Sequence, residues 1–380
     1  MNIAMVSLGF APLRTAGLDI VGERLVKGLL DRGHHVTVIA GRRGGLSESM
    51  THGNLEIVRI PLGKTHWLGF GLRSALALRS LKSQRDFDVI HFWDVYFAWA
   101  FREKFLGSLN HSFDQRIRTS KNVGVTKKSY YRLSMFFAEK PSVRRASGLL
   151  AISRASMQEY INKYGVPDSK IVLTRLGIDT QFFRPISHVD KLRISLQIPL
   201  EDPVILYSGF FTHRKGLEYL GRAMTKIHPT PWLVLTGKWD LSVHQKFYAS
   251  LGSMSSRVIE AGFVPDERMP DYYSMADLYV SPSLLEGFGL PLIEALSCGT
   301  PVVGVDSGAV AEVVGPGGVL VPPADSQALA QAVSCLLSSP MKRKNLARQG
   351  RAHVVTNFGL ERMVDTYIEA YKHFLYALSS

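Results

Sequence analysis

Two glutamates with seven residues between them frame the segment of this chain that is richest in chemistry, Ser281-Pro282-Ser283-Leu284-Leu285-Glu286-Gly287-Phe288-Gly289-Leu290-Pro291-Leu292-Ile293-Glu294-Ala295. It follows an apolar strand and opens a helix. Gly287 and Gly289 let backbone N–H groups approach a ligand closely. Pro291 suits a first helical turn, where its missing N–H costs little. The helix N-terminus adds partial positive charge, so Gly287, Phe288, Gly289 and Leu290 together read as a phosphate cradle. Glu286, on the loop, is placed to meet a transferred group. Glu294, read as lying in the first helical turn, can accept hydrogen bonds from both hydroxyls of a ribose diol.

A second strand end carries the complementary charge: Tyr207-Ser208-Gly209-Phe210-Phe211-Thr212-His213-Arg214-Lys215-Gly216-Leu217. Arg214 and Lys215 at a helix start are suited to stabilise negative charge that develops on a ligand's oxygens. Two histidines stand at expected strand ends in the first half. His111 follows the expected strand Lys104–Leu109, and an imidazole there can exchange a proton near neutral pH. His91 ends the strand Asp88–Phe92 and serves either a binding cleft or the core. Asp86-Phe87-Asp88 is formally a DxD, but it stands at the entry of an apolar strand, far from the carboxyl ends where such folds bind ligands, so metal binding is not expected there.

These segments resemble the large retaining glycosyltransferase family, family 4 of the GT-B type, typified by bacterial mannosyltransferases and sucrose synthases. The match runs from Pro282 through Gly299-Thr300-Pro301-Val302-Val303 to Glu312, and weaker similarity covers nearly the whole chain. Asn2–Leu8 and the loop to Gly17 resemble the family's first strand and glycine loop, with Ala16 where a second glycine is common. Gly33-His34-His35-Val36-Thr37-Val38 and Asp88-Val89-Ile90-His91 resemble later strands. The resemblance implies that Gly209, Arg214, Lys215 and residues 286–290 with Glu294 bind a nucleotide-diphospho-sugar, and that Gly17, His91 and His111 lie on the acceptor side. It implies front-face attack assisted by the leaving diphosphate, with Glu286 orienting the sugar and Lys215, Arg214 and His111 as catalytic groups. One departure stands out: Phe210 occupies the position where the family usually has Arg, and the adjacent Arg214 is the candidate replacement. The sequence calls for no metal and no cofactor, the nucleotide sugar being a substrate.

Apolar strands alternate with amphipathic helices along the chain, which implies parallel sheets covered by helices. The pattern restarts after Pro185. The expected fold is α/β, with two Rossmann-like doubly wound parallel-sheet domains facing a central cleft, the GT-B architecture. The first domain spans 1–185 and takes the acceptor. The second spans 186–358 and takes the donor. Residues 359–380 form a last helix that, by the resemblance, returns to the first domain.

At 380 residues and 46% hydrophobic, the chain has the size and composition of two globular domains. Cys298 and Cys335 form no CxxC, which suggests a reducing compartment or plain structural cysteines. With no apolar run long enough to span a bilayer and no basic n-region, a cytoplasmic location is expected. Residues 1–190 carry all of the formal charge of +13, and residues 191–380 sum to zero. Residues 101–150 alone contribute +8. There Arg116, Arg118, Lys121, Lys127, Lys128, Arg132, Lys140, Arg144 and Arg145 interleave with Tyr130, Tyr131, Leu133, Met135, Phe136 and Phe137. Basic residues beside apolar and aromatic ones favour an anionic bilayer, so residues 116–145 predict peripheral association with the inner face of a membrane, with a lipid-linked or glycan acceptor. Nucleic acid is not expected: no RNP pattern, zinc finger or basic heptad run accompanies the charge. The rival readings are a dinucleotide oxidoreductase, which lacks GxGxxG after the first strand, a noncatalytic sugar-nucleotide-binding scaffold, and an epimerase or hydrolase on the same architecture.

Overall fold

A computed structural model describes residues 1–14, 17–62, 66–119 and 125–377. Ala16 and Lys121, singled out above, lie outside the described residues, as do residues 378–380 of the expected last helix. The chain divides into two compact units: Met1–Gly177 together with the segment from Leu360 onward, and Ile178–Gly359.

The first unit holds β1 (Asn2–Ser7), β2 (His35–Arg42), β3 (Ser49–His52), β4 (Leu55–Pro61), β5 (Val89–Phe92), β6 (Leu106–Leu109), β7 (Gly148–Ala151) and β8 (Ile171–Leu173). They form one sheet in the order β3-β4-β2-β1-β5-β6-β7-β8. Only β3 runs antiparallel to its neighbour, with Ser49 opposite Val58 and His52 opposite Leu55. β3 departs from the expected all-parallel sheet. Its four residues are all exposed, so it carries no apolar signal to announce it. β1 and β5 are adjacent and parallel, Met5 opposite His91, and the chain order reverses between them. That is the switch point at which doubly wound sheets open a crevice. The core beneath is rich in aromatic rings, with Phe70, Phe92, Phe97, Phe101 and Phe105 all buried. Each such ring contributes roughly 2–3 kcal/mol by leaving water.

The helix Leu360–Ala377 packs in this unit against the helix Gly17–Asp31. Gly28 makes the approach possible: a β-carbon there would lie 2.3 Å from Val364 Cγ2. Arg32 pairs with Glu361 and Asp365 at the edge of the contact.

The second unit holds β9 (Val204–Phe211), β10 (Trp232–Trp239), β11 (Val258–Gly262), β12 (Leu278–Ser281), β13 (Val302–Val305) and β14 (Gly318–Val321), ordered β11-β10-β9-β12-β13-β14 and parallel throughout. Its switch point lies between β9 and β12. The chain crosses into this unit at Gly177–Ile178, earlier than the expected linker at Arg184-Pro185. The reason is Phe183, which is buried here while its carbonyl accepts Ser297 Oγ at 2.5 Å.

Candidate active site

The loops after β9 and β12 are stitched to each other at the switch point of the second unit. After β9 a short turn, His213–Lys215, ends at Gly216, whose φ of +66° is left-handed. A β-carbon at Gly216 would lie 2.1 Å from the Pro282 carbonyl oxygen, so glycine is what lets the two loops meet. The Leu284 N–H donates to the Arg214 carbonyl at 2.9 Å, and Arg214 Nη1 donates to the Leu285 carbonyl at 2.5 Å.

This stitching brings Lys215, Arg214 and Glu286 together as the sequence predicts. Lys215 Nζ donates to Glu286 Oε1, and Arg214 Nη1 lies 3.6 Å from Glu286 Oε2. Glu286 is buried, at 7% exposure. Burial alone would raise its carboxyl, but the Lys215 ammonium and then the Arg214 guanidinium outweigh burial and hold it at about 2. Burial pushes the Lys215 ammonium down, opposed by Glu286. From the other flank, Gly308 presses on the same loop. Its φ is +59°, and a β-carbon there would lie 2.0 Å from the Glu286 carbonyl oxygen, which accepts the Ala309 N–H at 3.0 Å. The carboxylate is therefore fixed by loops from three strands, ionised, with two cations on one side.

The helix Leu290–Ser297 begins at the end of this loop, capped by Gly289 with φ of +95°. One sequence expectation changes here. Glu294 lies one turn into the helix rather than in its first turn, because the helix begins at Leu290; Tyr273 Oη donates to Glu294 Oε2 at 2.7 Å and sets its orientation. The Phe288 side chain is buried, with its ring 5.7 Å from that of Phe358, so only its backbone faces the loop. Gly287 is buried between these residues and Leu290 is half-buried. Gly209, near the end of β9, has φ of +146°, and Phe210 beside it is 57% exposed.

In the first unit, Gly17 opens its helix after β1 and is exposed, and His111 stands half-buried between β6 and the helix Phe113–Thr119. Both lie at the carboxyl edge of the sheet. His91 does not serve that edge. It is fully buried, its Nε2 is 2.8 Å from Ser108 Oγ, and its Nδ1 is 2.8 Å from Tyr371 Oη. Burial holds its imidazole down at about 3, so it is a neutral core residue that ties the last helix to β5. Asp88 is at the opposite edge, where its Oδ2 accepts the Asn2 N–H at 2.7 Å.

Three contributors went unnoticed in the sequence. Tyr273 and Gly308 are supporting residues with no local signature. Asp94 follows β5 directly, and a carboxylate at a strand's carboxyl end is a signal that could have found it. Burial pushes Asp94 up to about 6, opposed by the Arg116 guanidinium and reinforced by the charge of Asp19. Asn110 Nδ2 lies 3.4 Å from Asp94 Oδ1. Asp19 leans on the backbone after β1, where a β-carbon at Gly9 would lie 2.1 Å from Asp19 Oδ2. The edge of β1, β5 and β6 thus gathers Asp19, Asp94, Asn110 and His111.

An ionised carboxylate clamped by two cations, beside a glycine loop and a helix N-terminus, is equipped to hold an anionic, hydroxyl-rich ligand. Comparison with known proteins identifies the family. The profile of the glycosyl transferases group 1 matches residues 188–353, and that of Glycosyltransferase Family 4 matches residues 16–182. An uncharacterised glycosyltransferase of Methanocaldococcus jannaschii is 27% identical, covering 98% of each chain. The MMP alpha-(1->4)-mannosyltransferase of Mycolicibacterium hassiacum is 28% identical over 80% of this chain and 74% of its own. The O-antigen chain mannosyltransferase B of Escherichia coli is 30% identical over 61% and 62%. Among solved structures, sucrose-phosphate synthase of Thermosynechococcus elongatus superposes with a TM-score of 0.83 at 24% identity, covering 99% of both chains. Anabaena HepE in complex with UDP-glucose superposes with a TM-score of 0.76 at 19% identity, covering 98% of this chain and 100% of its own. The two profiles fall one on each half of the chain, the glycine loop and its clamped glutamate lie within the second, and the chain belongs to the group 1, family 4 glycosyltransferases of GT-B fold.

Proposed function

We propose that this glycosyltransferase moves a hexose from a UDP- or GDP-sugar to a lipid-linked or envelope-glycan acceptor, with retention of anomeric configuration. The observation that carries the reading is the Lys215–Glu286–Arg214 cluster beside the 287–290 loop. In this reading Lys215 and Arg214 hold the leaving diphosphate, the loop offers backbone amides, Glu286 takes sugar hydroxyls, and Glu294 takes the ribose diol. The acceptor oxygen bonds to the anomeric carbon on the face from which the diphosphate departs. The bond from that carbon to the phosphate oxygen breaks, and the acceptor proton passes to the departing phosphate. His111 and Asp94 are the acceptor-side groups. The names of two relatives favour mannose, and UDP-glucose, the ligand of one structural neighbour, favours glucose.

The test is a thermal-shift screen against UDP, GDP, ADP and their sugar conjugates, followed by NMR of the product anomer. A stabilising shift with one nucleotide identifies the base, because a ligand that binds only the folded state raises the melting temperature. A product of inverted configuration overturns the retaining mechanism. No shift with any nucleotide at millimolar concentration overturns the donor site.

The membrane part of the proposal rests on the segment 125–145. Tyr131, Met135 and Ala138 turn toward the core of the first unit, while Leu133, Phe136 and Phe137 are each more than half exposed. Basic residues flank them, and Lys140 Nζ lies 5.8 Å from the centre of the Phe136 ring. Apolar tips among cations suit an anionic interface. No helix among the described residues is long and apolar enough to cross a membrane. Sedimentation with anionic liposomes but not neutral ones is expected, and Phe136→Ser with Phe137→Ser should abolish it while leaving the charge intact. Equal binding to both liposomes, or to neither, overturns this part.

A further inference from the structure

The charge at the second unit's site does not yet balance an anionic donor. Arg214 and Lys215 are matched by Glu286 and Glu294, so the four side chains sum to zero, and Glu286 already engages both cations. A diphosphate would make this edge net negative unless another cation reaches it. The next strand supplies one. β9 and β10 are parallel and paired residue by residue, with Gly209 opposite Gly237, Phe210 opposite Lys238 and Phe211 opposite Trp239. Residues paired in this way point to the same side of the sheet.

On one side, Phe211 and Trp239 stack with ring centres 4.0 Å apart and planes 16° apart, and Phe211 is buried. On the other, Phe210 and Lys238 are exposed. Gly209 and Gly237 bend the two strands together: φ is +146° and +132°, and a β-carbon at Gly237 would lie 1.8 Å from the Gly209 carbonyl oxygen. Lys238 takes part in none of the ion pairs among the described residues. Its Nζ rests 5.3 Å from the centre of the Phe263 ring, which follows β11 and is 68% exposed. An ammonium on an exposed ring is held by only a weak attraction, so it is free to move to a stronger partner.

We infer that Lys238 is a donor-positioning residue that supplies, from the strand beside β9, the cation absent at Phe210, and that it leaves the Phe263 ring to pair with the nucleotide's phosphates. The inference rests on the proposed donor site. Carboxyl ends of parallel neighbours lie on one edge, so Lys238 stands one strand spacing from Phe210, on the side of β9 away from β12. An exposed lysine contributes nothing to the core, so its removal leaves the fold intact.

Calorimetric titration of the full chain with UDP and GDP, each against its monophosphate and nucleoside, tests it. Lys238→Ala is expected to weaken diphosphate binding by about tenfold, the scale of one charge-assisted contact, to weaken the nucleoside by less than twofold, and to flatten the salt dependence. Phe210→Arg added to Lys238→Ala should restore most of the lost affinity, because it returns the charge to the neighbouring strand. Glu294→Ala serves as the control for the site itself. If wild type binds a nucleotide, Glu294→Ala weakens it and Lys238→Ala leaves it within twofold, the inference fails and the donor site stands. If wild type binds no nucleotide, both fall.

Discussion

Replacing Lys215 with alanine separates what this residue does for the fold from what it does for the reaction. The Glu286 carboxyl is held at about 2, where a free glutamate titrates near 4.5. That gap corresponds to about 3 kcal/mol in favour of the carboxylate, and it remains after burial has pushed the other way. Lys215 is the nearer cation, and Arg214, at 3.6 Å, stays behind in the variant. Removing one partner of a buried pair costs roughly 3–5 kcal/mol; with Arg214 remaining, Lys215→Ala should cost about 2–3 kcal/mol. For a unit of this size that lowers the melting temperature by roughly 5–10 °C. The sign of the pH dependence is fixed. A depressed carboxyl contributes stability above its unfolded value and loses it as pH falls through its folded value. The stability gap between wild type and variant should therefore be fully open above pH 4.5 and narrow as pH falls toward 2. Urea melts at several pH values measure it, and a gap that stays constant or widens in acid means that Lys215 is not what holds Glu286. Turnover at saturating donor should fall on the order of 10²–10³-fold, the loss of one charge aimed at a departing anion. An unchanged kcat would refute the role given to Lys215 in transfer.

Glu294→Ala should raise the donor KM by about ten- to a hundredfold with little change in kcat, since the proposed ribose contact is made in ground and transition states alike; steady-state kinetics checks this. Asp94 titrates at about 6, so transfer by wild type should decline as pH falls below that value, and Asp94→Asn should lose this acid limb and stay slow at every pH. Glu139 is fully buried and accepts from Tyr160 Oη and Tyr164 Oη, both at 2.6 Å, yet burial outweighs these donors and pushes its carboxyl up to about 7. Its folded form holds a proton more readily than its unfolded form. The stability it contributes is present below about pH 4.5 and disappears as pH rises through 7, a change of about 3 kcal/mol that Glu139→Gln should remove from urea melts at pH 5 and pH 8.

The cluster in the second unit was legible because its signals are local: one loop and the helix it opens, after one strand, carry Glu286, the two glycines and Glu294. The strand edge of the first unit was legible only in part. His91 lies in a parallel strand buried on both faces, where alternation cannot say which way a residue points, and its second partner, Tyr371, comes from the other end of the chain. β8 has three residues and β3 has four exposed ones, too little for any pattern. The segment 125–145 switches from α-helix to a π-helical turn at Met135–Glu139, which breaks the 3.6-residue period that would have marked it. The helix Leu241–Leu251 was missed although Asp240 caps it, with Oδ1 accepting the Ser242 N–H at 3.0 Å.

The way Glu286 is held also bears on selectivity between sugar and water. Without a ligand, both cations nearest the loop are turned onto one carboxylate. In the proposed donor complex, a diphosphate competes for Lys215 and Arg214, and as it takes them it releases acceptor capacity on Glu286 for sugar hydroxyls. Binding of the two halves of the donor is thus coupled through a single ion pair: phosphates without a sugar leave a buried carboxylate short of partners, and a sugar without phosphates finds that carboxylate already occupied. Only the intact nucleotide sugar satisfies every group at once. A buried polar group left unpaired costs far more than a poor contact at the surface, so the pair itself favours the complete donor over its hydrolysis products. On this argument UDP or GDP should bind more weakly to wild type than the sugar conjugate that is the true donor, and Glu286→Gln, which lifts the penalty, should narrow that preference.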